Sequence, residues 1–394
     1  MRQLVVLGAT GSVGRNTLDV VARHPGRLGV LALAAQRDVD GLFALCQQFR
    51  PRYAALADVA AAMRLRERCD QARLAVEVLG GAEAVCDLAR LDEADLVMSA
   101  ISGSPGLLPT CAAVEAGKTV LIANKEPLVM AGRLLMQRAA RAGATLLPID
   151  SEHNAIFQCL PGGYRCGAAP AGVRKLILTA SGGPFRELPL ERFAAITPEQ
   201  ALRHPNWTMG PKISVDSATM MNKGLELVEA QVLYGLPAAQ LEVVIHPESA
   251  VHSLVEYVDG SLLAQLGSAD MRVPIAHALA WPERWESGAA RLDLAALARM
   301  HFSAPDLQRF PCLRLARQAL EAGGGMPLVL NAANEIAVEA FLNGQLRFTA
   351  IPDMIEHSLA ALSGATLPDS LDGILALDAQ AREQARRRLP GSAA

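Results

Sequence analysis

The chain has 394 residues, of which 51% are hydrophobic and 20% are charged, with a formal net charge of −3. This length suits two or three domains, and the composition excludes wholesale disorder. The weak negative charge favours neither nucleic-acid binding nor adsorption to an anionic membrane. No apolar run reaches the roughly 20 residues of a membrane span, and the first residues lack a signal or transit pattern. We therefore expect a cytoplasmic protein whose seven cysteines are reduced thiols.

Strand and helix patterns alternate over the first 150 residues. Strands are predicted at 3–7, 29–35, 53–56, 95–99, 119–123 and 145–149. Helices are predicted at 16–23, 39–49, 60–70, 107–116 and 132–142. Such alternation is typical of an α/β domain with a doubly wound, Rossmann-like parallel sheet, which we assign to residues 1–150.

The pattern changes after residue 150. Strands are predicted at 175–179, 241–245, 251–258 and 261–266, and helices at 190–195, 198–201 and 225–234. Asp259-Gly260 between the last two strands indicates a hairpin. We therefore predict a central α+β domain over 151–285, a linker over 286–311 and a helical domain over 312–394, with helices at 313–321, 332–342 and 354–362. Residues 182–210 contain four prolines and little periodicity, which favours a functional loop or lid.

A glycine-rich loop follows the first predicted strand and opens the first predicted helix. Its glycines are Gly8, Gly11 and Gly14, with Thr10 and Ser12 between them. Glycines let the backbone approach a pyrophosphate, and the helix N-terminus offers unpaired N–H groups and partial positive charge. The pattern predicts dinucleotide binding, although a purely structural turn would use the same residues.

The end of the second predicted strand bears on the choice of cofactor. An arginine there suits the 2′-phosphate of NADP, whereas an acidic residue suits the ribose hydroxyl of NAD. The sequence Gln36-Arg37-Asp38 contains both. Arg37 favours NADPH, and Asp38 argues against it.

Two carboxylates follow the strand predicted at 145–149. Asp150 and Glu152 can converge on one hard cation if the strand has just ended, and oxygen ligands suit Mg²⁺ or Mn²⁺. A solvated turn with two acids is the alternative. A polar cluster, Asn124, Lys125 and Glu126, follows the neighbouring strand.

Two further segments have the composition of an anion site. Ser181-Gly182-Gly183-Pro184 is a small turn suited to wrapping an anion. Ser217, Asn222 and Lys223 offer hydroxyl, amide and ammonium donors for a phosphate. Glu226, three residues after Lys223, is placed to reach a metal; capping and a surface ion pair are the alternative.

The segment His204-Pro-Asn-Trp207 lies in the proline-rich loop between these two segments. Trp207 has few apolar neighbours in sequence, so it suits closure over a ligand and exclusion of water. Anchoring of the loop in the core is the alternative role.

Together these motifs resemble the 1-deoxy-D-xylulose 5-phosphate reductoisomerase family over essentially the whole chain. The resemblance rests on Gly-Ala-Thr-Gly-Ser-Val-Gly at 8–14, Ala-Asn-Lys-Glu at 123–126, Asp-Ser-Glu-His-Asn-Ala at 150–155, Ser-Gly-Gly-Pro-Phe-Arg at 181–186, His-Pro-Asn-Trp-Thr-Met-Gly at 204–210, the segment 212–226 and Asn-Ala-Ala-Asn-Glu at 331–335.

The resemblance implies rearrangement of 1-deoxy-D-xylulose 5-phosphate and NADPH reduction to 2-C-methyl-D-erythritol 4-phosphate, in non-mevalonate isoprenoid biosynthesis. It implies a homodimer and a Mg²⁺, Mn²⁺ or Co²⁺ site made by Asp150, Glu152 and Glu226. Substrate contacts are implied for Lys125, Ser151, Glu152, Ser181, His204, Trp207, Ser217, Asn222, Lys223 and Glu226. Cofactor contacts are implied for Thr10, Gly11, Ser12, Val13, Gln36, Arg37, Asp38, Asn124, Glu126 and Gly210. Catalytic roles are implied for Lys125, Asp150, Glu152, His204 and Glu226.

This chain departs from the family pattern at three positions. Gln36 stands where a glycine is common, Asp38 would repel a nearby 2′-phosphate, and Pro127 follows Glu126 where a serine is usual. Two other functions are weighed against the reductoisomerase: a different NADP-linked dehydrogenase of a small phosphorylated substrate, and a non-catalytic dinucleotide sensor. A full carboxylate set with a lid argues against the sensor.

Overall fold

The computed structural model describes residues 1–207 and 209–389, which form two compact units. Unit 1 comprises Met1–Pro127, Leu135–Asn154 and Asp270–Ala290. Unit 2 comprises Leu128–Leu134, Ala155–Ala269 and the described residues from Arg291 onward. The sequence prediction placed 270–285 in the central domain, whereas contacts group these residues with unit 1. The functional division into domains stays a prediction, and Thr208 and 390–394 lie outside the described residues.

Unit 1 contains a seven-stranded parallel sheet in the order β4-β3-β2-β1-β5-β6-β7. Its strands are β1 Arg2–Leu7, β2 Leu28–Ala35, β3 Tyr53–Leu56, β4 Glu77–Gly80, β5 Leu96–Ser99, β6 Thr119–Ile122 and β7 Thr145–Pro148. The doubly wound α/β prediction is confirmed. Only β4 was not predicted, because this short edge strand buries one of its four residues and gives no apolar run.

Unit 2 contains a four-stranded mixed sheet in the order β11-β10-β8-β9. Its strands are β8 Val173–Ala180, β9 Leu241–Ile245, β10 Val251–Tyr257 and β11 Leu262–Leu266. The predicted hairpin is confirmed: Tyr257 N–H donates to Ser261 O at 2.9 Å, and Gly260 adopts a φ of 88°.

Helices occur in both units and dominate the described residues from 311 onward. They are α1 Ser12–Arg23, α2 Val39–Phe49, α3 Val59–Gln71, α4 Ala82–Arg90, α5 Leu107–Glu115, α6 Glu126–Ala142, α7 Ser151–Cys159, α8 Pro198–Ala201, α9 Pro211–Thr219, α10 Met221–Tyr234, α11 Arg272–Ala280, α12 Leu294–Leu297, α13 Pro311–Ala322, α14 Met326–Leu342, α15 Ala350–Ala361 and α16 Leu371–Arg386. Short 3₁₀ turns occur at Ser104–Gly106, Leu190–Ala195 and Ala238–Gln240. Among the described helices, none is both long and apolar enough to cross a membrane.

Several helices begin earlier than their periodicity predicts. Helix α14 begins at Met326, whereas its predicted start is residue 332. Its first eight residues, from Met326 to Ala333, are all buried, so no polar face marks the true start. Similarly, α10 begins at Met221 and not at 225, because its first turn is also almost wholly buried. A helix buried on all sides shows no amphipathic period, and sequence periodicity misses its ends.

The sheet of unit 1 positions a binding edge. Chain order reverses between β1 and β5, and open α/β sheets bind ligands outside the carboxyl ends of their strands at such a point. Residues 4–7 of β1 have no exposed surface, which fixes the strand at the centre of the core. The segments after β1, β2, β6 and β7 contain the polar residues singled out in the first 152 positions of the sequence.

Candidate functional site

The glycine loop after β1 has the geometry of a phosphate-binding turn. The N–H groups of Gly8 and Ala9 donate to Ala34 O at 2.9 and 2.8 Å, which fastens the loop to β2. A Cβ on Gly14 would lie 2.3 Å from Gly8 O, so only glycine lets α1 pack this closely. Gly11 caps α1 without a side-chain hydrogen bond, so the first N–H groups of α1 keep their donor capacity for an anion. This cradle fits a dinucleotide.

The neighbouring positions Thr10, Ser12 and Val13 line the same turn. Thr10 O accepts from Arg15 Nε at 2.9 Å, and Val13 O accepts from the Thr17 hydroxyl at 2.8 Å. Ser12 is exposed at the start of α1. Their backbone is therefore held by α1, while the Ser12 hydroxyl faces solvent and can reach a ligand.

Gln36, Arg37 and Asp38 are all exposed at the carboxyl end of β2. The Asp38 carboxylate caps α2 by accepting from Gly41 N–H at 2.9 Å and lies 3.9 Å from Arg15. This carboxylate is therefore turned toward its own helix, where the helix dipole and Arg15 offset its charge. The capping role reduces the conflict that the sequence suggests between Asp38 and a 2′-phosphate.

The polar cluster after β6 is built around a buried asparagine. Asn124 Nδ2 donates to the carbonyl oxygens of Gly103, at 2.9 Å, and Ile101. Asn124 Oδ1 accepts from Glu126 N–H at 3.2 Å, where α6 begins. Asn124 thereby ties the loop after β5 to the loop after β6, and it places Lys125 and Glu126 at the binding edge.

Asp150 and Glu152 lie at the start of α7, immediately beyond β7. Asp150 O accepts from Asn154 N–H at 2.8 Å, and Glu152 occupies the first helical turn, where the helix dipole favours a carboxylate. The sequence predicts both acids where a strand has just ended; β7 does end at Pro148, and the structure adds that a helix begins at Ser151. Lys125 Nζ lies 2.5 Å from Asp150 Oδ2, and the Ser151 hydroxyl donates to Glu152 Oε2 at 2.6 Å.

Unit 2 brings the Ser181 turn and His204 together. His204 Nδ1 accepts from the N–H groups of Asn206 and Trp207 at 3.2 and 2.9 Å, so its proton lies on Nε2. Nε2 then donates to Ser181 Oγ at 3.1 Å, which also accepts from Gly183 N–H at 3.1 Å. Because Ser181 Oγ already accepts two hydrogen bonds, its own O–H is left to donate to an acceptor such as a phosphate oxygen. Burial lowers the pKa of His204 to about 4, so its ring is neutral at pH 7.

Trp207 follows His204 in the same loop. Its ring is half-buried and its centroid lies 6.2 Å from that of His252. These contacts are compatible with either role considered for it, a lid or an anchor. Gly210 is exposed and is the N-cap residue of α9; having no side chain, it makes no capping hydrogen bond.

Helices α9 and α10 meet at Met220, a non-glycine residue with a φ of 62°. This left-handed conformation is costly for a side chain, and it turns the chain sharply between Ser217 and Asn222. Gly183 packs against this bend, since a Cβ there would lie 2.7 Å from Ser217 O. The Ser181 turn and the end of α9 are therefore neighbours.

Glu226 is fully buried and has two charged or polar donors from its own helix. Lys223 Nζ lies 2.5 Å from Glu226 Oε2, and Asn222 Nδ2 donates to Glu226 Oε1 at 2.6 Å. The spacing of Lys223 and Glu226 predicts neighbouring faces with separate roles, and a surface ion pair is the alternative; the structure shows an ion pair, but a buried one. A buried pair of this kind is costly to desolvate, so it indicates a binding role more than a stabilising one.

The donor sets suit a hard divalent cation. Asp150 and Glu152 in unit 1, and Glu226 in unit 2, offer carboxylate oxygens, the ligands that Mg²⁺ and Mn²⁺ prefer. A thiol or thioether ligand would favour a softer metal, but Asp150, Glu152 and Glu226 offer only oxygen atoms.

Two supporting residues were not singled out in the sequence. Asn206 Nδ2 donates to Pro247 O at 2.8 Å and to Ser249 Oγ at 2.7 Å, which fixes the His204 loop. Arg186 Nη1 donates to Ser181 O at 3.2 Å. Both residues lie inside motifs recognised in the sequence. Their roles could not be predicted, because a side chain that hydrogen-bonds to the main chain leaves no characteristic residue spacing.

Comparisons with known proteins agree with these features. Three family models match: 1-deoxy-D-xylulose 5-phosphate reductoisomerase at 4–132, its C-terminal domain at 146–234, and the DXP reductoisomerase C-terminal domain at 266–384. The 1-deoxy-D-xylulose 5-phosphate reductoisomerase of Pseudomonas putida strain W619 is 59% identical, over 99% of this chain and 98% of its own. That of Methylococcus capsulatus is 56% identical, over 98% of each.

Solved structures are similar over the same length. A crystal structure of DOX-P reductoisomerase with NADPH, fosmidomycin and magnesium has a TM-score of 0.93 and 46% identity, over 98% of both chains. The reductoisomerase of Zymomonas mobilis in complex with NADPH has a TM-score of 0.89 and 48% identity, again over 98% of both chains.

Proposed function

The chain belongs to the 1-deoxy-D-xylulose 5-phosphate reductoisomerase family, and we propose how its residues divide the work of that reaction. The protein is an NADPH-dependent oxidoreductase that converts 1-deoxy-D-xylulose 5-phosphate to 2-C-methyl-D-erythritol 4-phosphate with the help of a divalent metal. The observation that carries this function is the match over almost the whole chain. It removes the two alternatives, another dehydrogenase and a sensor.

Asp150, Glu152 and Glu226 are proposed as the metal ligands. When bound, a divalent cation polarises the substrate carbonyl and stabilises negative charge on oxygen. The pairing of Asp150 with Lys125, and of Glu226 with Lys223, supports this proposal, because a largely desolvated ion pair is costly to keep for stability alone and so indicates a binding role. Ser151, which lies between Asp150 and Glu152 in the sequence, is proposed to contact the substrate.

The substrate phosphate is proposed to bind to Ser181, Ser217, Asn222 and Lys223. The orientation of the Ser181 hydroxyl, set by His204 and Gly183, supports its role as a donor. Lys223 adds a positive charge in a buried setting, where its attraction to a phosphate is strongest. Phosphate contacts far from the reacting carbons orient the substrate and supply binding energy.

NADPH, the hydride donor of the reaction, is proposed to bind at the loop after β1 and at Gln36, Arg37 and Asp38. The uncapped N-terminus of α1 suits its pyrophosphate. Arg37, exposed at the end of β2, is the residue proposed to contact the 2′-phosphate. Contacts to NADPH are also proposed for Asn124, Glu126 and Gly210.

Lys125 and His204 are proposed to contact the substrate, and Trp207 to close over it. The neutral ring of His204 donates through Nε2, so the residue acts by hydrogen bonding and by holding Ser181, without adding charge. A closed Trp207 would exclude water and retain the aldehyde formed before reduction.

We also propose that the protein is a homodimer in the cytoplasm. The edge strand β11 exposes Leu262, Leu263 and Leu266 at 50%, 48% and 37% of their surface. An exposed apolar edge strand favours pairing with a second copy of itself. The seven cysteines, all within the described residues, form no disulfide, which supports a reducing compartment.

Binding of Mn²⁺, followed by electron paramagnetic resonance, tests the metal ligands. Asp150→Asn, Glu152→Gln and Glu226→Gln should each raise the Kd for Mn²⁺ by about tenfold or more, because each removes a charged ligand. Glu283→Gln, at an exposed carboxylate paired with Arg27, is the matched control and should leave the Kd unchanged. Unchanged Mn²⁺ affinity in the three site variants would contradict the proposed site while leaving the family function intact.

A further inference from the structure

One conspicuous motif, Asn331-Ala-Ala-Asn334-Glu335 of α14, has no role in the scheme above. Asn334 is fully buried, and its Nδ2 donates to Asp216 Oδ1 at 2.8 Å. Asp216 lies on α9, one residue before Ser217. A buried hydrogen bond therefore joins the C-terminal helices to the helix that contains a proposed phosphate ligand, and both partners lie in unit 2.

Asp216 is a carboxylate with only 1% of its surface exposed. Its Oδ2 lies 2.9 Å from Lys212 Nζ, one turn earlier on α9. A buried carboxylate needs donors on both oxygens, and here one donor comes from its own helix and the other from α14. Helix α13 also packs against α9, so a third helix borders the helix that carries this carboxylate.

The position of α9 affects several parts of the phosphate site. Gly183 packs against Ser217 O with no room for a Cβ, so α9 is in contact with the Ser181 turn. The left-handed turn at Met220 joins α9 directly to Asn222 and Lys223. A displacement of α9 would therefore move Ser217 relative to the other proposed phosphate donors.

We propose that Asn334 is a positioning residue for the substrate phosphate. Its hydrogen bond to Asp216 holds α9 in the place where Ser217, the Ser181 turn and Lys223 converge on one anion. The C-terminal helices thereby contribute to substrate binding without touching the substrate. This inference rests on the proposed phosphate site, which Ser217→Ala tests independently.

The test compares Asn334→Ala with Asn331→Ala. Asn331 is equally buried on the same helix, but its Nδ2 donates at 3.3 Å to Glu335 and not to α9. For each full-length variant we would measure kcat, KM for 1-deoxy-D-xylulose 5-phosphate, inhibition by inorganic phosphate, and the Kd for NADPH. Loss of one hydrogen bond to a buried charge corresponds to about tenfold in affinity.

Asn334→Ala should raise KM and the inhibition constant for phosphate about tenfold, with kcat and the Kd for NADPH within about twofold of wild type. Asn331→Ala should leave all four within about twofold, although it loses a comparable buried amide. In the double variant Asp216→Asn/Asn334→Asp, the two positions can still form a hydrogen bond, now with residue 216 as the donor. This variant should regain most of the phosphate affinity.

Equal KM values for the Asn334 and Asn331 variants would overturn the proposal, as would a uniform loss of kcat and NADPH affinity in the Asn334 variant alone. Asn334→Ser is measured in parallel. Its short side chain leaves a polar group in the buried site but cannot reach Asp216, so it provides a second folded variant that lacks the hydrogen bond. If Ser217→Ala leaves KM unchanged, the phosphate site itself is wrong; if it raises KM while the Asn334 variants do not, only the positioning role fails.

Discussion

Replacing Lys223 by methionine separates its two proposed interactions, one with the substrate phosphate and one with Glu226. The side chain of Lys223 is 4% exposed, and that of Glu226 is fully buried, so their 2.5 Å ion pair is shielded from water. Lys223→Met keeps the length of the side chain but removes the ammonium. The Glu226 carboxylate then lacks this counter-charge inside the protein.

Two magnitudes follow from this geometry. Removing one partner of a buried ion pair costs about 3–5 kcal/mol, so the metal-free variant should unfold at a clearly lower urea concentration. A divalent cation bound to Glu226 would replace the missing positive charge. Metal at about 100 times its Kd stabilises the folded state by about 2.7 kcal/mol, and the variant should bind it more tightly than wild type does. Its KM for substrate should rise about 10- to 100-fold, because a charged phosphate donor is gone.

The assay is urea unfolding with EDTA and with Mg²⁺, and the control is Lys212→Met. Lys212 also pairs with a buried carboxylate, that of Asp216 at 2.9 Å, but no metal is proposed there. We expect Mg²⁺ to recover more stability in the Lys223 variant than in wild type or in the Lys212 variant. Equal recovery in all three proteins would refute the reasoning, since it would show that the metal does not interact with the Glu226 charge.

Three further predictions concern the loops. Trp207→Ala should lower kcat at least about tenfold with little change in thermal midpoint, whereas a large drop in the midpoint would favour a core anchor. Arg37→Ala should reduce the preference for NADPH over NADH about tenfold, and Arg64→Ala, another exposed arginine, should not; an unaltered preference in both would reject the Arg37 contact. The pKa of His204 is about 4 in the folded protein and about 6.5 when unfolded, so the unfolded chain binds more protons between these values. Unfolding free energy should therefore fall as pH drops from about 6.5 to 4, and His204→Gln should lessen this slope; an identical slope would contradict the burial argument.

The sequence was sufficient for the parallel sheet of unit 1 apart from one edge strand. Its parallel strands are apolar runs bounded by glycines and polar residues, and each predicted strand lies within two residues of its observed bounds. The edge strand Glu77–Gly80 was not predicted, because three of its four residues are at least partly exposed and form no apolar run. The local pattern of a strand therefore depends on its burial, and a strand that is mostly exposed leaves no apolar run.

The site was only partly predictable, for a different reason. Asp150, Ser151 and Glu152 are recognisable as a polar group beyond a strand, but the helix start at Ser151 depends on hydrogen bonds such as that from Asn154 N–H to Asp150 O. The pairing of Lys125 with Asp150 joins the ends of two strands. The link from Asn334 to Asp216 spans 118 residues, and no spacing rule relates them. Contacts of this kind arise from tertiary packing, which a local pattern does not encode.

The central claim is that carboxylates of this chain hold a divalent metal on which NADPH-dependent conversion of 1-deoxy-D-xylulose 5-phosphate depends. The most direct measurement follows NADPH oxidation by the EDTA-treated protein with that substrate, before and after addition of Mn²⁺. We predict no oxidation above background without metal and rapid oxidation once Mn²⁺ is added. Oxidation at the same rate with and without metal, or none when Mn²⁺ is present, would contradict the account.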